Sequence, residues 1–169
     1  MRLSPLLIAL GLTASTLAGP SLASQAKGDD AIDARSVALV AQGSEALAAG
    51  DLVAADNAFE TALVLDPRNR AAYVAMAKVA IEQQLYGQAI RLTRKALTIE
   101  PTDRAALAVQ GEAYAALGAN AKAEANLARL ERICAADCAE QGVIEAAIER
   151  GPVTVMAAND NDAEATTDN

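Results

Sequence analysis

The chain has 169 residues, room for one ordinary domain, and its 53% hydrophobic content is enough to bury a core. A formal charge of −8 gives no general attraction to nucleic acid or anionic lipid, and the absence of His removes imidazole acid–base chemistry and the commonest metal ligand. Aromatic residues make up only 2% and Trp is absent, so the core rests on Ala, Leu, Val and Ile, a mixture that suits closely crossing helices rather than a sheet.

The N-terminus reads as a secretory signal peptide. Arg2 supplies one positive charge, residues 3–18 are uncharged and rich in Leu, Ile and Ala, and Gly19-Pro20 interrupts the run. Ser21 and Ala23 place cleavage after Ala23, with Ala26 as the second choice; an uncleaved anchor is the competing reading. The apolar run is shorter than the roughly 20 residues that span a bilayer and contains Pro5 and Gly11. No Cys follows it, so a lipid anchor is not indicated. Removal of residues 1–23 takes away Arg2 and no acid, moving the charge from −8 to −9. The expectation is a periplasmic or secreted protein of a Gram-negative envelope, with no membrane insertion after cleavage.

A linker at 24–35 leads into the first helix. From there a period of 34 residues governs the chain: the segment from Thr61 to Pro67 returns as Lys95 to Pro101, and Arg70-Ala71-Ala72 returns as Arg104-Ala105-Ala106. Small residues keep the same step, Gly43 to Ala77 to Gly111 and Ala55 to Ala89 to Ala123. These are positions where two antiparallel helices must approach closely. Leu39, Tyr73 and Leu107, with Phe59 and Leu127, supply bulk between the units, and Thr93 at the middle position is expected to weaken the second unit locally. Pro67 and Pro101 stop helices, because Pro lacks an N–H and disfavours helix in the residue before it. Turn signals at 49–51, 84–87 and 117–120 complete a set of seven helices near 31–49, 52–66, 68–84, 87–100, 102–117, 120–133 and 138–149.

These positions resemble the tetratricopeptide repeat, whose 34-residue unit carries W-x2-L-G-x2-Y, then A-x3-F, then Ala and Pro. Residues 36–69 match through Gly43, Ala55, Phe59, Ala62 and Pro67. Residues 70–103 match through Tyr73, Ala89, Ala96 and Pro101. Residues 104–137 form a degenerate third unit with Gly111, Tyr114 and Ala123, but with Leu130 and Ala135 where Ala and Pro stand in the family. The resemblance covers 36–137 and implies an all-α solenoid of three helix hairpins. Such a stack needs a cap, and Val143, Ile144, Ala147 and Ile148, set among charged residues at 138–150, supply an amphipathic one. Gly151-Pro152 ends it, and the acidic 151–169 reads as a solvated, disordered tail.

The resemblance implies a concave wall built from the first helix of each unit and binding a protein or peptide partner. The matching positions are Val37, Val40, Ser44, Leu47, Val74, Lys78, Ile81, Ala108, Glu112 and Ala115. This wall reads as mildly apolar with one charge of each sign, and Lys78 with Asn69 does not reproduce the family's cationic clamp for a peptide carboxylate. The same residues could instead pack against the cap or a second copy, so a self-associating structural protein stays open. Glu82, Glu112, Glu124 and Glu131 read as solvated helix faces.

Cys134 and Cys138 are the only cysteines. In an oxidising compartment a disulfide between them would pin the cap; free thiols, or a redox role, remain the alternatives. Two thiolates without His do not complete a zinc site, and the spacing is not Cys-x-x-Cys. The function expected is a non-catalytic adaptor or scaffold without cofactor or metal.

Overall fold

The computed structural model describes residues 31–134 and 138–153. The expected signal peptide, the start of the linker, residues 135–137 of the third unit and most of the acidic tail lie outside the described residues.

Seven helices are present among the described residues: α1 (Ala34–Ala48), α2 (Leu52–Leu65), α3 (Arg70–Glu82), α4 (Tyr86–Ile99), α5 (Arg104–Ala116), α6 (Asn120–Ile133) and α7 (Ala139–Arg150). They form three antiparallel hairpins, α1 with α2, α3 with α4 and α5 with α6, stacked in chain order and closed by α7. Each hairpin turns through a residue with positive φ at the 34-residue step: Gly50 at 79°, Gln84 at 60° and Gly118 at 72°. The three turns share one hydrogen-bond pattern. The next residue's N–H reaches back five positions (Asp51 to Ala46 O, Leu85 to Ala80 O, Ala119 to Tyr114 O), closing each helix with the same left-handed C-terminal motif. Gly87, the glycine nearest the second turn, lies inside α4 instead.

Three helix starts are fixed by acids. Asp33, Asp51 and Asp103 accept backbone N–H groups of Arg35, Ala54 and Ala106, capping α1, α2 and α5. Asn69 heads α3 but turns inward: its Nδ2 donates to Ser36 Oγ at 2.8 Å, and Ser36 donates to Ala62 O at 2.7 Å. Similar links tie the start of each hairpin to the turn or helix that follows it. Asp66 accepts from Asp33 N–H, Arg70 pairs with Asp103, and Arg104 lies 3.9 Å from Glu140.

The core forms where small residues let helices close. Gly43 is one such place: a Cβ there would lie 2.5 Å from the Phe59 ring. Phe59, Ala55, Ala62, Ala77, Ala89, Ala96 and Leu107 have no exposure. Thr93 differs from its sequence expectation. It is fully buried and donates to Ala89 O at 2.8 Å, while Gln110 Nε2 donates to its oxygen at 3.2 Å. Asn126 Nδ2 then donates to Gln110 Oε1 at 3.1 Å and Leu107 O at 3.2 Å. The position is therefore a polar junction between α4, α5 and α6, and no buried side-chain polar atom among the described residues lacks a partner.

The cap rests more on α5 than on α6. Ile144, with no exposure, fills the notch above Gly111, where a Cβ would meet its Cδ1 at 2.5 Å. Leu130, bulkier than the Ala62 and Ala96 of the earlier units, joins Ile144, Ala147 and Leu107 in this terminal core. Both ends of α7 are tied. Cys134 and Cys138 form a disulfide with Cα atoms 6.2 Å apart, and Val153 N–H donates to Ala116 O at 3.0 Å.

Candidate functional groove

The first helices of the hairpins, α1, α3 and α5, share one wall, and α7 closes its C-terminal end. Two adjoining hollows lie along it, of about 440 Å³ toward α1 and about 410 Å³ toward α7, sharing Leu47, Lys78 and Ala105. They make one groove, because helical spacing puts residues three and four apart on a common face.

Eight of the ten sequence-chosen positions line it. Val40, Ser44, Leu47, Val74 and Lys78 line the half toward α1; Leu47 and Lys78 recur with Ile81, Ala108 and Glu112 in the other half. Val74 and Ala108 are nearly buried, so they shape the floor, whereas Ser44 and Lys78 stand exposed. Val37 and Ala115 are placed differently. Val37 borders a third hollow with Ile32, Arg68, Asn69 and Ile99, which meets the groove only at Ala71. Ala115 has no exposure and belongs to the core with Leu107, Leu130 and Ile144, because α7 seats on α5 at that level. Asn69 is withdrawn from any clamp by its bond to Ser36.

The groove also holds residues that the sequence reading left out. Ala71 and Ala105 lie three positions before Val74 and Ala108, and Glu82 lies four after Lys78, so one more helical step in either direction would have found them. Ala139, Glu140 and Val143 come from α7, whose docking site no local pattern announces.

Two of the carboxylates expected on solvated faces are groove residues. Glu82 and Glu112 both line the half toward α7. Burial raises the Glu112 carboxyl above its ordinary value; Arg150 and, more weakly, Lys78 oppose the shift, while nearby Glu82 adds to it. Arg150 approaches Glu112 only to 3.9 Å, with its own side chain 61% exposed. No group of three or more Cys, Asp or Glu among the described residues is placed to hold a metal ion. The wall offers a long apolar surface edged with charge.

No protein-family model and no curated protein matches the chain. Solved structures do. The first TPR domain of Spaghetti (RPAP3), described as bound to the HSP90 peptide SRMEEVD, matches with TM-score 0.63 at 15% identity, over 69% of this chain and 94% of that one. The Sgt2 TPR domain from Aspergillus fumigatus matches with TM-score 0.64 at 17% identity, over 71% of this chain and 81% of that one. SycD, the type III secretion translocator chaperone of Yersinia enterocolitica, matches with TM-score 0.60 at 16% identity, over 68% of this chain and 92% of that one. With the 34-residue period and the three stacked hairpins, these likenesses make the chain a tetratricopeptide-repeat solenoid in fold.

Proposed function

We propose that this protein is a non-catalytic adaptor that holds a segment of another protein in the groove formed by α1, α3, α5 and α7. The observation that carries the proposal is the groove itself: continuous across three repeats, apolar along most of its lining, and closed at one end by a cap tied at both termini. Apolar grooves of this kind capture peptides through shape and a few anchoring side chains. Two of the solved structures alike in fold are described as bound to an HSP90 peptide, which supports the general mode without naming a partner here.

In this reading the adaptor works in the bacterial envelope; the signal-like residues 1–23 and the Cys134–Cys138 disulfide, a bond that persists in oxidising compartments, support it. Mass spectrometry of the protein from separated periplasmic and cytoplasmic fractions tests this directly. Loss of residues 1–23 or 1–26 with no free thiol is the expected result, whereas an intact N-terminus on a cytoplasmic protein overturns the placement.

The groove is tested by photo-crosslinking in the native host. A probe at Ala71, exposed and on the groove wall, is compared with one at Arg91, exposed on α4. A discrete partner captured from Ala71 and not from Arg91 is expected. Equal capture from both positions, or none from Ala71, contradicts the adaptor reading, and capture of only a second copy of the chain turns it into self-association.

A further inference from the structure

The two halves of the groove differ in charge. Toward α1 the lining is Val40, Leu47, Val74 and small residues, with Lys78 the only charged side chain. Toward α7, Lys78 is outnumbered by Glu82, Glu112 and Glu140. The guanidinium groups nearest these acids do not line the hollow. Arg104 and Arg150 reach Glu140 and Glu112 from its flanks at 3.9 Å, with side chains 53% and 61% exposed, so solvent weakens both pairs. Glu82 has no ion-pair partner among the described residues. Glu112 is half-buried beside it, and burial raises its carboxyl against the opposing pull of Arg150 and Lys78.

We propose that the occupant is a segment of another protein bearing a lysine or arginine beside apolar side chains, with the apolar part over Val40, Leu47 and Val74 and the cation between Glu82 and Glu112. This rests on the groove being the binding surface. A cation there pairs with the exposed Glu82 and returns to Glu112 the charge stabilisation that burial removes. The protein's net charge of −8 acts in the same direction, steering cationic segments inward. An acidic peptide fits poorly, since Lys78 alone faces three carboxylates. For the same reason the chain's own residues 154–169, with four acids and no base, are a poor occupant.

The test is selection from a random dodecapeptide display library on the oxidised, full-length exported protein. Two variants accompany it: Glu82→Gln with Glu112→Gln, which keeps shape and removes charge, and Ser44→Trp with Ala71→Trp, which fills the groove from exposed positions. Circular dichroism confirms that each folds. The wild type should enrich peptides combining Lys or Arg with Leu, Ile or Val. Replacing the basic residue by Gln should weaken binding roughly three- to tenfold, and that difference should largely vanish in the Gln variant. Enrichment of acidic peptides, or basic peptides indifferent to the Gln variant, overturns the charge inference and leaves the groove standing. Peptides that bind the groove-filled variant equally well, or the recovery of none, overturn the groove reading and this inference with it.

Discussion

The first and second repeats follow one 34-residue ruler yet solve the crossing of their helices in opposite ways. In the first, Gly43 gives up its side chain and the Phe59 ring fills the space, with ring carbons 2.5 to 2.9 Å from where a Cβ would stand. In the second, the equivalent positions are Ala77 and Thr93, a methyl group gained and an aromatic ring lost. The Thr93 hydroxyl instead joins Gln110 and Asn126, tying α4 to the next hairpin. A residue that departs from the repeat pattern is therefore a junction between units rather than a gap within one. The Gly43–Phe59 crossing of the first hairpin is dry, and at the equivalent level of the second a satisfied polar chain reaches across to the third.

The largest effect that breaks this contrast is Phe59→Ala, expected to cost about 3–5 kcal/mol in denaturant unfolding, because the fully buried ring leaves a cavity. Gly43→Ala follows at about 1–3 kcal/mol, although Ala is ordinarily the better helix former, because its Cβ collides with that ring. Combining Gly43→Ala with Phe59→Thr transplants the second repeat's pair into the first. The double variant should then be more stable than the two single costs added together, by about 1 kcal/mol or more; strict additivity would show that the two positions are not matched. Thr93→Val sharpens the other side, at about 1–2 kcal/mol, since it strands the Gln110 amide donor in the core. An unchanged or more stable Thr93→Val variant would restore the view of Thr93 as a packing defect.

Smaller effects come from the turns. Gln84 holds the left-handed position that Gly50 holds in the first repeat, so Gln84→Gly is expected to raise stability by about 0.5–1 kcal/mol. The acids before the two prolines show their contrast only at low pH. Asp66 is held well below the usual carboxylate range by the Arg68 side chain first, then by the Asp33 and Arg68 N–H groups; Glu100 is lowered by the Thr102 hydroxyl and N–H. A carboxyl depressed in the folded state stabilises above its unfolded pKa, near 4, and that contribution is lost as pH falls through the folded value. Asp66→Asn should therefore lower the melting temperature at neutral pH and flatten its decline below about pH 4, more than Glu100→Gln does.

Much of this architecture was legible in the sequence where a local rule fixes it. Pro67 and Pro101 mark the ends of α2 and α4, Gly50 and Gly118 mark two turns, and the span 120–133 agrees with α6. Features that depend on a distant partner were not legible. Gln84 carries no left-handed signal of its own, and the glycine of the 84–87 turn signal, Gly87, lies inside α4. The apolar stripe of α7 says that one face is buried but not that Ile144 enters the notch at Gly111, and that seating hides Ala115 and brings Glu140 into the groove. The Thr93, Gln110 and Asn126 chain joins three helices through residues that look unremarkable one at a time.

The difference between the two sides of the solenoid is tested most directly by hydrogen exchange on the oxidised protein, with and without the partner segment captured from Ala71. Slower exchange along α1, α3 and α5, with α2, α4 and α6 unchanged, is the result predicted for a groove that holds its partner. Slowing confined to α2, α4 and α6, with α1, α3 and α5 unaffected, would contradict it.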